Sequence, residues 1–186
     1  MNDMTIKTIN IKSGPSGRAM AQPMETSVFE ALCQHLTMER NASAQYFAMS
    51  LWFAEREMRG FASFFKSESI SENEHASTFA NYLIARGQTV YLQEISAPKQ
   101  SWSSIEEIIS FSFQMEADVT ISLNQIYSLS ERSSDTRTNV FLDPIIESQI
   151  SSEDEFAYLL GKVKFANEQP SALLIIDNEL NTAQQN

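Results

Sequence analysis

The sequence has little of what breaks a helix. Its 186 residues hold five glycines and five prolines, and Gly14, Pro15, Gly17 and Pro23 all fall within the first 23. Beyond them breakers are sparse, which favours an all-α chain. Cysteine is nearly absent: Cys33 stands alone, so no internal disulfide can form and a Cys-based zinc site is excluded. Histidine is scarce as well, with only His35 and His75. No run reaches the ~18 consecutive apolar residues of a membrane span, and the N-terminus carries no apolar leader, so a soluble, cytoplasmic protein is expected. Positive charge is also short. Thirteen Lys and Arg against 24 Asp and Glu leave a net charge of −11. That balance repels nucleic-acid phosphates and anionic membranes, and it is compatible with attracting cations.

What is present is a folding composition, 42% apolar and 20% charged. The length suits one domain, expected over 24–186 after an extended or mobile arm over 1–23. Helical spacing starts near residue 26, where Thr26 or Ser27 is placed to cap and Glu30 to complete a capping box. The first helix is expected over about 26–57, with Leu32, Leu36, Tyr46 and Phe53 on one stripe and Gly60 marking a break. The second is expected over about 61–86, with Phe61, Phe65, Phe79 and Tyr82 inward and Gly87 as its stop. Residues 88 to about 103 are long for a bundle connection, and such a segment can cross the whole bundle to a parallel neighbour. Ser103 or Ser104 then caps a third helix carrying Ile105, Ile109, Phe113, Leu123 and Ile126. A polar turn over Ser133 to Thr138 leads to a fourth helix over about 139–166, with Ile145, Phe156, Leu160 and Val163 inward and Pro144 near its start. Pro170 precedes a short fifth helix, Ala172 to Leu180. The expected architecture is an all-α four-helix bundle with one long crossover between helices two and three and a short C-terminal helix.

Certain polar residues sit on stripes that should be buried. Glu39 is in register with Leu32, Leu36 and Tyr46, and Glu72 and His75 with Phe65 and Phe79. Glu116 falls between Phe113 and Leu123, and Gln149 between Ile145 and Phe156. Buried charge is costly unless it is paired or bound to metal. Glu72 and His75 are three residues apart, so both point the same way. A helical Glu-x-x-His inside a bundle marks di-iron carboxylate sites. Carboxylate oxygens suit a hard, oxidising iron pair and can bridge it, while one imidazole makes the two irons inequivalent. A lone Glu-x-x-His is more often a solvated face; the weight lies in all four helices converging. His35 cannot supply a second such motif, because Leu32 stands three residues before it, and it is not assigned to the site.

These stretches resemble the ferritins from about residue 24 to 182, and look most similar to cyanobacterial ferritins with an animal H-type site. Met38-Glu39-Arg40-Asn41-Ala42-Ser43-Ala44-Gln45-Tyr46 resembles the family's first-helix motif, and Glu72-Asn73-Glu74-His75 its second. Gln114-Met115-Glu116-Ala117 and Glu147-Ser148-Gln149 resemble the third- and fourth-helix segments, and Ile176-Asp177-Asn178-Glu179-Leu180 the fifth helix. The resemblance implies that Glu39 and His75 bind the first iron, Glu72 bridges, Glu116 binds the second and Gln149 sits beside it. It implies Tyr46 as an electron donor and Glu68 as an accessory iron position. It further implies a ferroxidase that uses Fe(II) and dioxygen, and a homo-oligomeric cage of twenty-four subunits whose fifth helices line the four-fold contacts.

The chain also departs from family patterns. Gln149 and Ser152 stand where haem-containing bacterioferritins have a second Glu-x-x-His, which speaks against haem. Ser152 also replaces a Glu that helps hold a third iron. The acidic pair of the three-fold channel maps to Asn139 and Leu142, with Asp135 and Asp143 near but out of place. Of the mineral-nucleating acids Glu74 matches, while Ser71 and Ser77 do not. Three other readings compete: a storage subunit without oxidase activity, a di-iron oxygenase with an organic substrate, and a bundle that binds a partner protein. Non-catalytic chains lose ligands that are intact here, and the oxygenases usually need the missing second histidine.

Overall fold

The computed structural model describes residues 11–183. Residues 1–10 of the expected arm lie outside the described residues. Among the described residues five helices follow one another: α1 (Thr26–Ala54), α2 (Arg59–Ala85), α3 (Ile105–Arg132), α4 (Thr136–Ala166) and α5 (Pro170–Ala183).

Residue pairs across the core set the directions. On α1 and α2, Ser43 meets Ser69 and Phe53 meets Phe61, so the two run antiparallel. On α1 and α3, His35 meets Ser122, Tyr46 meets Glu116 and Met49 meets Ser112, which is again antiparallel. α2 and α3 therefore run parallel, as a connection crossing the bundle's length allows. That crossover, residues 86–104, is pinned to α1. Asn41 Oδ1 accepts from Ser96 N at 2.8 Å, and the Gln45 amide bonds both the N–H and the carbonyl of Lys99.

The core divides into two halves. One gathers Tyr46, Phe53, Phe61, Phe64, Phe65 and Phe156 toward α5. The other gathers Leu32, Leu36, Phe79, Leu83, Leu123 and Leu142 at the far end. The polar centre lies between them.

Several ends differ from the sequence expectation. α1 stops at Ala54 rather than 57, because Glu57 turns into the left-handed region at φ 59. Gly60 lies inside the first turn of α2, not in the break, and packs against α5. Neither Thr26 nor Ser27 caps α1; Glu25 holds that place without a side-chain bond. Ser104 caps α3, accepting from Glu107 N at 3.0 Å, and Glu107 reaches back to Ser103 N. α4 begins at Thr136, three residues early, because Asp135 caps it. Asp135 is itself buried in a two-point ion pair with Arg86 (2.9 and 3.0 Å), beside Tyr82 and Thr138. α4 continues through Pro144, where both Pro144 and Val140 are exposed and water can take the carbonyl bond the proline cannot. α5 is longer than expected at both ends and starts with Pro170, which suits a first helical position.

Ahead of α1, β1 (Lys12–Ser13) and β2 (Ala19–Met20) pair as a short hairpin. Its turn docks on the end of α2. Ser16 donates from both N and Oγ to the Gly87 carbonyl, at 3.2 and 2.9 Å. A Cβ on Gly14 would stand 2.2 Å from that carbonyl oxygen, so only glycine fits.

Candidate metal centre

α1 delivers Glu39, α2 Glu72 and His75, α3 Glu116 and α4 Gln149, and all but His75 are buried. Ligand atoms of Glu39, Glu72 and His75 lie within 4.8 Å of one another. The i, i+3 spacing on α2 brings His75 Nδ1 to 2.9 Å from Glu72 Oε2. The His75 side chain is 45% exposed, so its imidazole is where the cluster meets solvent.

Glu116 is held from two sides. The Tyr46 hydroxyl donates to Oε1, and Gln149 Nε2 donates to Oε2 at 2.9 Å. Tyr46 has no exposed surface and lies parallel to the Phe156 ring, with centroids 5.6 Å apart.

The electrostatics follow from burial. Desolvation pushes Glu39, Glu72 and Glu116 above the usual carboxylate range, with Glu72 at about 7, and neighbouring carboxylates add to the shift. His75 rises to about 9, chiefly through its bond to Glu72. Burial drives the Tyr46 phenol upward, and Glu116 drives it further. Three buried carboxylates around one imidazole are costly in an apolar bundle unless cations join them. An oxygen-rich donor set with a single imidazole suits a hard cation such as iron.

The remaining sequence candidates scatter. Glu68, one turn before Glu72, is half-buried, and burial with the nearby charge of Glu155 raises it to about 8. Glu155 on α4 carried no sequence signal, because it is one charge among several on a wet face. Asn139 and Leu142, the mapped channel positions, are buried inside the subunit. Asn139 donates to the Tyr127 carbonyl at 3.4 Å. Glu74 and Asp143 are exposed. His35, left out of the site by the sequence reading, lies against it: Nε2 is 2.8 Å from Glu39 Oε1. The available signal was its place one turn before Glu39 on the same stripe.

The family model of the ferritin-like domain matches residues 29–166. A probable bacterial non-heme ferritin-like protein of Haemophilus influenzae is 26% identical over 157 residues, which is 84% of this chain and 95% of that protein. A bacterial non-heme ferritin of Staphylococcus aureus is 27% identical over 159 residues, covering 86% and 96%. An open-pore ferritin of the archaeon Archaeoglobus fulgidus superposes with a TM-score of 0.83 at 23% identity, covering 85% of this chain and 98% of that one. The chain belongs to the ferritin family.

Proposed function

We propose that this protein is a ferroxidase and an iron store. Two Fe(II) bind between the four helices and are oxidised by dioxygen, and the ferric product is kept as mineral inside a shell of twenty-four copies. Each iron gives one electron, and dioxygen takes both. Glu39 and His75 hold the first iron, Glu72 bridges, and Glu116 holds the second beside Gln149. Tyr46, bonded to Glu116, is the candidate donor of a further electron, for reduction of dioxygen beyond the two-electron stage. Glu68 gives an accessory position one turn along α2.

The observation that carries this reading is the convergence of Glu39, Glu72 and His75 within 4.8 Å in a buried centre. Exposed apolar side chains favour the shell. Phe47, Leu51, Tyr91 and Leu92 stand on α1 and the crossover, and Phe165, Leu174 and Ile175 near the α5 end. Phe47 and Leu51 lie one turn apart on α1, and large apolar side chains left together in water favour contact between subunits. Among the described residues no helix is long and apolar enough to cross a membrane, and a cytoplasmic store fits that.

Sedimentation velocity after aerobic loading with excess Fe(II) tests the proposal. One large species that carries the iron is expected from the wild type, and a species of equal size with little iron from Glu72→Ala. Subunit-sized protein beside precipitated iron would contradict it.

A further inference from the structure

His35 occupies the core without any exposed surface. Its ring packs on Phe79 at a centroid distance of 4.4 Å. Its two nitrogens reach different helices: Nδ1 is 2.8 Å from Ser122 Oγ on α3, and Nε2 is 2.8 Å from Glu39 Oε1 on its own helix. The second approach lies off the line of a hydrogen bond. Nε2 is therefore buried without a hydrogen-bond partner, and Glu39 Oε2 is buried without one as well. Such orphaned buried atoms are rare and call for an explanation.

The chemistry of the contact narrows it. A carboxylate that ligates metal is deprotonated, so a bare Nε2 lone pair at 2.8 Å from Glu39 Oε1 would be repelled. The ring hydrogen then belongs on Nε2. A ring with its hydrogen on Nε2 accepts at Nδ1, and the Ser122 hydroxyl is the donor beside it. A small ring tilt makes the Nε2 approach a bond.

We propose that Ser122 and His35 are a positioning pair for Glu39. Ser122 fixes the imidazole tautomer, His35 holds Oε1, and the partnerless Oε2 is left turned to the metal. This rests on Glu39 being a metal ligand, as proposed above. A histidine present only to pack on Phe79 would need neither nitrogen. Partners that orient a metal ligand typically change metal affinity about 10–100-fold when removed.

Co(II) titration of the assembled, metal-free protein, read by calorimetry and by visible ligand-field absorption, tests the pair. His35→Phe keeps a ring on Phe79 and loses both nitrogens. It is expected to weaken the tighter Co(II) site about tenfold or more and to alter its absorption. His35→Gln restores a donor and should recover most of that loss. Ser122→Ala should shift affinity in the same direction as His35→Phe, by less. Wild-type affinity and absorption in His35→Phe would overturn the proposal. Should that variant fail to assemble, the same result in Ser122→Ala would overturn it. If wild type binds no Co(II), or Glu72→Ala binds it equally well, the metal-site reading itself falls and the pair with it. Wild-type binding that ignores His35 removes the pair alone.

Discussion

The Tyr46 hydroxyl donates to Glu116 Oε1 across the core, joining α1 to α3 at the level of the carboxylate cluster. Gln149 holds the other oxygen of Glu116 from α4, at 2.9 Å. Glu116 is thus fixed before any metal arrives.

Tyr46→Phe separates this bond from packing, because the ring stack on Phe156 survives. Loss of a hydrogen bond to a charged group should destabilise the metal-free protein by about 1.5–3 kcal/mol. Iron stoichiometry should stay at the wild-type value, while oxidation slows several-fold. Thermal unfolding and stopped-flow absorbance measure the two effects. An unchanged oxidation rate would remove Tyr46 from the electron path.

The metal-free protein should lose stability as pH rises from about 4.5 to 9. Glu72 titrates at about 7 and Glu68 at about 8 in the fold, against 4.5 without burial. The folded chain then binds more protons than the unfolded one between pH 4.5 and 8, so stability falls as pH rises through that window. His75, raised from 6.5 to about 9 by Glu72, contributes stability that is full below 6.5 and lost toward 9. His35, lowered to about 4, opposes this trend only below 6.5. Glu72→Gln should flatten the decline in melting temperature across pH 4.5–9. Metal affinity should rise over the same range, because metal displaces these protons. A melting temperature independent of pH in the wild type would contradict the burial argument.

Gly60→Ala should loosen α5. A Cβ there would stand 1.7 Å from the Asp177 carbonyl oxygen, which is backbone and cannot swing aside. The same Asp177 accepts from Phe61 N at 2.9 Å through its side chain. Overpacking of this kind costs about 1–3 kcal/mol. If α5 makes the four-fold contacts, the variant should also sediment as smaller assemblies. Full-size assemblies of undiminished stability would separate α5 from assembly.

The fold was legible because its cues are local and repeated. The stripes of Leu32, Leu36, Phe53, Phe65 and Phe79 all fall inside. The polar residues that interrupt them, Glu39, Glu72, Glu116 and Gln149, are buried at one level as the register requires. What escaped depends on partners distant in sequence. Asp135 begins α4 early because Arg86, 49 residues away, holds it. Gly60 is required by a helix more than a hundred residues later. Ser122 shows its role only when α3 lies beside His35. The hairpin over residues 12–20 needs the end of α2 to dock on, and no periodicity in its own residues announces that.

The central claim is an oxidising iron pair at Glu39, Glu72, His75 and Glu116. Stopped-flow absorbance after aerobic addition of two Fe(II) per subunit to the metal-free protein tests it most directly, with Glu72→Ala alongside. The account predicts a fast phase in the wild type that disappears in the variant. Equal, slow oxidation in both, at the rate of free iron, would contradict it.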